Sequence, residues 1–271
     1  MRILLTLSMV LVCLLGNAQQ DSTTAPKVQF KIGLNYNSKL HYYGRTDSLS
    51  SSGYFPMAEL WVNNSFYVNA APIFVHNAFT GTDYAGSVTT LGYLKATPGH
   101  MVHLYALKPF YTAESRLVQS ALKAQAGAAL SLFSKAINFS MGGDVKYSNQ
   151  LDYGATAGID HLLRLQKGSH LVLVDPTFSL NAGTQNFLRT YRQKKAGLLF
   201  PREETVTEKG QVFRLLAWEA SLPLVYIKGK MQVQATPAYV VPLNLQPAQT
   251  GIPAEYGKPL LYLTAGVKYS L

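Results

Sequence analysis

Trp218 to Val241 reads WEASLPLVYIKGKMQVQATPAYVV. Lys228-Gly229-Lys230 separates two arms rich in strand-forming residues, the pattern of a hairpin. Successive side chains of a strand point to opposite faces. Trp218, Ala220, Leu222, Leu224 and Tyr226 therefore share a face with Val233, Ala235, Tyr239 and Val241, while Glu219, Ser221, Gln232, Gln234 and Thr236 share the other. Pro223 and Pro237 each remove one ladder donor, so a local bulge or break is expected there. Which of the two faces is the inside decides the fold.

The same period of two runs through the chain. In KVQFKIGLNYNSKLHYY, Val28, Phe30, Ile32, Leu34, Tyr36 and Leu40 oppose Gln29, Lys31, Gly33, Asn35, Asn37 and Lys39. AINFSMGGDVKYS, LDYGATAGIDHLLRL, LVLVDPTFSLNAGTQNF and KPLLYLTAGVKYSL alternate likewise. About twelve such segments are expected. They fall near 27–44, 54–62, 66–78, 87–96, 101–111, 118–133, 136–148, 150–165, 170–186, 212–227, 231–245 and 258–271. Lengths of about ten residues suit a tilted membrane strand better than the ~5–6 of soluble sheets. Short connections (Asn63-Asn64, Pro98-Gly99, Ser134-Lys135, Gln166 to Ser169, Lys228 to Lys230) alternate with mostly longer ones at 45–53, 79–86, 112–117, 187–211 and 246–257; only Ser148 to Gln150 departs from this by being short. That is the layout of an outer-membrane barrel.

The polar faces carry Gly, Ser, Thr, Asn and Gln with scattered Asp and Lys, unlike the dense Lys and Glu of a soluble surface. Burying every apolar face inward would also need one oversized core. The expected fold is all-β: a transmembrane antiparallel up-and-down β-barrel of about 12 strands, apolar face outward. A soluble exported barrel of lipocalin type, apolar face inward, is the alternative.

The first residues, MRILLTLSMVLVCLLGNAQQ, order a charged start, an apolar run from Ile3 to Leu15 and the small residues Gly16 and Ala18. This is the pattern of a signal peptide over 1–18, leaving a barrel domain over 19–271. Val12 is too large for the small residue that precedes a lipidated cysteine, and Cys13 is the sole cysteine, so the mature chain offers no disulfide. Charged residues are 14% of the chain and the formal net charge is +10. Arg189, Arg192, Lys194, Lys195 and Arg202 cluster in the expected loop 187–211, a candidate contact for anionic lipopolysaccharide or polysaccharide. No recognition module for nucleic acid is present, and export argues against that partner.

Three stretches carry a resemblance: YYGR with DSLSSSGYFPMAELWV (Tyr42 to Val62), DPTFSLNAGTQNF (Asp175 to Phe187), and WEASLPLVYIKGKMQVQATPAYVVPLNL (Trp218 to Leu245). The chain resembles a Bacteroidetes-type outer-membrane β-barrel family. The resemblance implies an outer-membrane location, surrounding lipid and assembly by the barrel-assembly machinery, and it supplies no activity. The chain ends in Leu271, with Tyr269 two residues earlier, where many such barrels end in an aromatic residue.

Chemical motifs are few. His41, His76, His100, His103, His161 and His170 show no HxxxH or HExxH spacing, so no metal and no cofactor is expected. No GxSxG elbow occurs; Ser120 has outward parity but no evident histidine partner, and Glu203-Glu204 read as solvated charge. The informative residues are charges on the inward parity: Asp144, Asp152, Asp160, Asp175 and Glu219 with Lys123, Lys146, Arg164 and Lys268. Ionised groups inside a closed barrel must pair or meet water, so these are expected to form a lumen network or a pore lining. The expected function is non-enzymatic, a small pore or a structural or surface-binding barrel, with a lipid-modifying outer-membrane enzyme as the alternative.

Overall fold

The computed structural model describes residues 28–46, 50–78, 81–112, 122–195, 202–247 and 256–271, with side chains described except at 186–195 and 202–209. The signal-peptide reading, Cys13 and Ser120 lie outside those residues. The described chain forms β1 (Gln29–Asn37), β2 (His41–Tyr42), β3 (Arg45–Thr46), β4 (Ser52–Val62), β5 (Phe66–Asn77), β6 (Gly81–Ala96), β7 (His100–Tyr111), β8 (Ala124–Leu132) and β9 (Asn138–Tyr147). It continues with β10 (Leu151–Asp160), β11 (Leu163–Lys167), β12 (His170–Val174), β13 (Thr177–Lys195), β14 (Arg202–Ser221), β15 (Leu224–Lys228), β16 (Met231–Pro242) and β17 (Leu260–Ser270). No helix occurs among the described residues.

The strands close on themselves. Antiparallel neighbours run β1-β4-β5-β6-β7-β8-β9-β10-β13-β14-β16-β17, and β17 pairs back onto β1 with Lys31 opposite Ser270 and Asn37 opposite Thr264. This is a closed 12-strand antiparallel barrel, as the periodicity predicts. Closure leaves no continuous edge exposed.

Three staves of the wall are interrupted at one level. β10 passes to β11 at His161-Leu162, β12 to β13 at Asp175-Pro176, and β14 to β15 at Leu222-Pro223. A proline accepts but cannot donate. The ladder adapts: His161 N–H donates to Pro176 O at 3.3 Å, Asp175 N–H to Pro223 O at 3.0 Å, and Leu222 N–H to Pro237 O at 3.0 Å. The break expected at Pro223 is present. At Pro237 β16 stays continuous and only its partner changes, from β15 up to Ala235 to β14 from Ala238. The break at Pro176 falls inside what the alternation alone reads as one strand.

The apolar face is the outside. Phe30, Ile32 and Leu34 are 40–45% exposed, and Phe139, Met141, Ile159, Phe178, Leu224 and Val233 are exposed as well. Leaving such a side chain in water costs roughly 1.5–3 kcal/mol. Exposed aromatics form two girdles, Phe66, Phe139 and Tyr269 at one rim, Tyr54, Phe110 and Tyr147 at the other. The buried apolar residues Ala217, Ala238, Val240 and Leu260 have inward parity, and Leu216, the extra residue of a bulge in β14, is buried beside inward Gly183.

One end holds Val28, Leu271 and the tight turns, with Asn63, Asn64 and Gly229 at positive φ. The other end, called the loop end below, holds the described residues 38–46, 50–51, 78, 112, 122–123, 148–150, 243–247 and 256–259 between the strands. Two expected loops are corrected. β6 begins at Gly81, so most of 79–86 is strand. The expected basic loop 187–211 is largely a paired arm, with β13 and β14 in register out to Lys195 opposite Arg202. Charged and polar residues fall on both parities of the two strands, with no continuous apolar face, so a polar ladder reads as a loop from sequence.

Candidate functional site

One hydrogen-bonded row crosses the inner wall. Trp61 of β4 stands opposite Tyr67 of β5, then Gly92 of β6, Tyr105 of β7, Gly127 of β8, Asp144 of β9 and Gly154 of β10. Large residues alternate with glycine, and each lies over the next gap. A methyl group at Gly92 would sit 2.2 Å from the Tyr67 ring, and one at Gly127 2.6 Å from the Tyr105 ring. The rings therefore lie flat on the wall with one face covered and the other toward the lumen. His103 of β7 completes the belt, its Nε2 2.9 Å from Tyr67 Oη. Trp61 to Tyr67, Tyr67 to His103 and His103 to Tyr105 have centroids 4.9, 6.0 and 5.4 Å apart at interplanar angles of 32°, 24° and 29°. Gln125 Nε2 donates to Tyr105 Oη at 3.1 Å.

Charge flanks the belt on both sides. At the Trp61 end, Lys268 Nζ pairs with Glu59 Oε2 at 2.8 Å, Trp61 Nε1 donates to Glu59 Oε1 at 2.7 Å, and Lys31 Nζ stands 4.6 Å over the Trp61 ring. Glu59 is buried and satisfied on both oxygens. At the Asp144 end, Lys146 pairs with Asp144 over Gly154.

The loop-end half of the lumen is filled by the chain itself. β2 and β3 form a hairpin through Tyr43 (φ 51) and Gly44 (φ 78), both left-handed as a two-residue hairpin turn requires. A methyl group on Gly44 would also meet Pro242 Cδ at 2.8 Å. Tyr43 packs on Ala217, Val240 and Leu260 of three wall strands, and Tyr42 reaches across to Lys146 Nζ of β9 at 5.9 Å. Arg45, 7% exposed, locks the hairpin by donating to Leu216 O and Leu243 O at 3.1 Å each and to Tyr43 O at 3.3 Å. Leu216 is the extra residue of a bulge in β14, between Ala217 opposite Asn181 and Leu215 opposite Ala182, which turns its carbonyl out of the ladder. His41 Nδ1 accepts Gly44 N–H at 3.2 Å, and its ring meets Tyr262 edge-on at 4.3 Å. Burial holds the His41 imidazole below its ordinary value and pushes the Tyr43 phenol up to about 12, with Tyr42 adding to the latter.

The charges expected in the lumen divide into small groups rather than one network. Asp144 joins Lys146, and Lys268 joins Glu59. Asp152 accepts from Thr184 Oγ1 at 2.9 Å and Gln211 Nε2 at 3.1 Å. Asp160 accepts from Asn138 Nδ2 at 2.6 Å and meets the carboxyl of Asp175. Glu219 takes its hydrogen bond from the Tyr262 hydroxyl rather than from a base. Arg164 donates to Gln166 Oε1 at 2.9 Å and is exposed at the turn end. Lys123 is a correction: it lies at the loop-end rim, bonded to Asn149 Oδ1 at 3.1 Å and over the outward Tyr147 ring at 5.6 Å, because β8 starts only at Ala124 and parity no longer steers it inward. Of the basic cluster only the backbone is described. Its register sets Lys194 opposite Glu203 and Arg189 opposite Glu208, with Arg192 opposite Thr205 and Lys195 opposite Arg202.

Sequence reasoning misses Glu59, Trp61, Tyr67 and Arg45. In YFPMAELWV both faces carry large apolar residues, so alternation gives Glu59 no address. Arg45 reads as an ordinary loop charge. The available signal was the glycine on the inward parity of several strands, which marks a place for a large neighbour.

Each histidine has a partner: His41 Gly44 N, His76 Thr82, His100 Thr97, His103 Tyr67, His161 Ala136 O and His170 Tyr226. A shallow apolar groove of about 750 Å³ on the wall, among Phe66, Tyr93, Leu104, Val145 and Tyr153, is lined by no Ser, Cys or His.

No protein-family profile matches the sequence, and no curated protein does. Among solved structures, an outer membrane channel from Pseudomonas putida F1 aligns at a TM-score of 0.46 and 8% identity, over 94% of this chain and 98% of its own. LpxR from Salmonella typhimurium aligns at 0.42 and 9%, over 88% and 99%. The beta domain of the Bordetella autotransporter BrkA aligns at 0.40 and 12%, over 90% and 100%. Scores this low carry no functional argument, and the barrel stands on its own strand pairings.

Proposed function

We propose that this chain is an outer-membrane β-barrel, exported by a signal peptide over 1–18, and that it acts as a small, internally plugged pore rather than as an enzyme. The exposed apolar band and its two aromatic girdles support a lipid surround. The resemblance to a Bacteroidetes-type outer-membrane family supports the same location. In this setting the turn end faces the periplasm and the loop end the exterior. The observation that carries the pore reading is the hairpin around Tyr43, folded into the lumen and pinned by Arg45. A barrel that served only as an anchor would gain nothing from a polar, partly exposed inner wall beside a segment docked in the lumen.

The test is planar-bilayer recording of the mature chain. Wild type is expected to stay near baseline with brief openings, and a variant with residues 39–50 replaced by a short Gly-Ser linker to show steady steps. A flat trace from both removes the pore reading. Association of the β13–β14 arm with an anionic lipopolysaccharide headgroup belongs to the same reading, with Arg192 and Lys195, which have no carboxylate opposite them in register, as the contacts. Their replacement by Ser is expected to weaken pull-down by lipopolysaccharide vesicles at low salt.

A further inference from the structure

We propose that the belt of rings on the lumen wall is a binding site for an acidic saccharide. The proposal rests on the pore reading for its route of access, and on the following geometry for its chemistry. Tyr67, His103 and Tyr105 follow one another with ring planes tilted by 24° and 29°, and glycines beneath the two tyrosines let their rings lie against the wall. The faces of Tyr67 and Tyr105 away from those glycines are turned to the lumen, and all three residues stay partly exposed. An aromatic face is the negative side of its quadrupole and attracts the C–H bonds of a flat saturated ring. A pyranose presents such a face, with hydroxyls around its rim.

The flanks fit those hydroxyls. The Glu59, Lys268 and Lys31 group stands at one end of the belt, the Asp144–Lys146 pair at the other, and the Gln125 amide lies beside Tyr105. Fixed donors and acceptors at both ends of an apolar floor match a solute that is greasy on its face and polar at its edge. An aliphatic chain has no use for the charges, and an inorganic ion has none for the rings. Three ammonium groups against two carboxylates leave the belt with surplus positive charge, which favours a carboxylate-bearing sugar over a neutral one and disfavours cationic solutes. Lys31, held over Trp61 and not within ion-pair distance of a described carboxylate, is the group that meets the sugar carboxylate.

The chain contains two tryptophans, and Trp218 lies on the outer wall against Phe178 and Tyr239. Trp218→Phe therefore leaves Trp61 as the single reporter. The detergent-folded Trp218→Phe protein is titrated with trigalacturonate, maltotriose and benzoate while Trp61 emission is followed. A saturable change with trigalacturonate is expected, with maltotriose at least tenfold weaker and benzoate without saturation. Tyr67→Leu in the same background is expected to weaken trigalacturonate at least tenfold. Absence of saturation with trigalacturonate overturns the proposal without any further variant, as does an equal response to maltotriose or benzoate, or unchanged affinity in folded Tyr67→Leu. The titration needs no current, so binding without conductance would remove the pore reading and leave the saccharide site, while conductance without binding would do the reverse.

Discussion

The two halves of the lumen are built on one wall and used in opposite ways. In the loop-end half the chain returns inward, and Tyr43, Ala217, Val240 and Leu260 make the apolar cluster. In the turn-end half the inward faces keep rings, amides and ion pairs in contact with solvent, and glycines let the rings lie flat. Strand alternation is the same in both. The difference comes from one bulge and one hairpin: Leu216 turns a carbonyl out of the ladder, and Arg45 is placed to take it. A barrel interior is thus filled where a loop finds free backbone acceptors, and left wet where side chains satisfy one another along the wall.

The largest expected effect lies in the filled half. Arg45→Ala removes three charge-assisted bonds to carbonyls, and the docking of the hairpin should lose about 3 kcal/mol. Planar bilayers should then show long openings while the barrel keeps its heat-resistant gel mobility; unchanged closure would mean that Arg45 is not the lock. In the wet half the corresponding change is Lys268→Met, which strands buried Glu59. The cost is set at about 2 kcal/mol, below that of a fully buried pair, because Lys268 keeps 29% exposure. It should lower the urea midpoint of the detergent-folded barrel without opening it, and Glu59→Gln in the same chain should recover part of the loss.

Smaller still is Gly92→Ala. The added methyl must lift the Tyr67 ring, for a cost of about 1–2 kcal/mol, and Tyr67→Leu in that background should cost less than it does alone. Additive losses would show that the ring does not cover the glycine. The smallest effect is on pH. The docked hairpin holds His41 neutral, with a folded value below the usual 6.5. Its stabilisation is complete above about pH 6.5 and is lost as pH falls through the lowered value. Open probability should rise on acidification from pH 7 toward pH 5, and His41→Phe should flatten that response.

Much of the wall was legible from residues alone. Val28 to Asn37, Ile137 to Tyr147 and Leu260 to Ser270 declare their faces by period two, though the alternation ends before Leu40, which turns in beside Gly53; the expected short turns all fall at one end. Alternation alone gives the Trp218–Val241 hairpin its outer face and turns Glu219 to the other; the partner of Glu219 is Tyr262 on β17, which no local pattern identifies. The β13–β14 arm is not legible because its strands lack a continuous apolar face, and the break at Pro176 is not because one proline in an alternating run has no visible neighbour. The site was legible only as scattered charges. Parity misplaces Lys123 because it lies before the strand begins at Ala124.

What the amino-acid order determines by itself is which face of each strand points outward, since that depends on residues two apart on one segment. Which ring covers which glycine, which base meets Glu59 and where Arg45 finds its carbonyls depend on register between segments far apart in the chain, Lys268 and Glu59 being 209 residues apart. Register is settled only when the sheet closes, because closure fixes every strand against two neighbours at once.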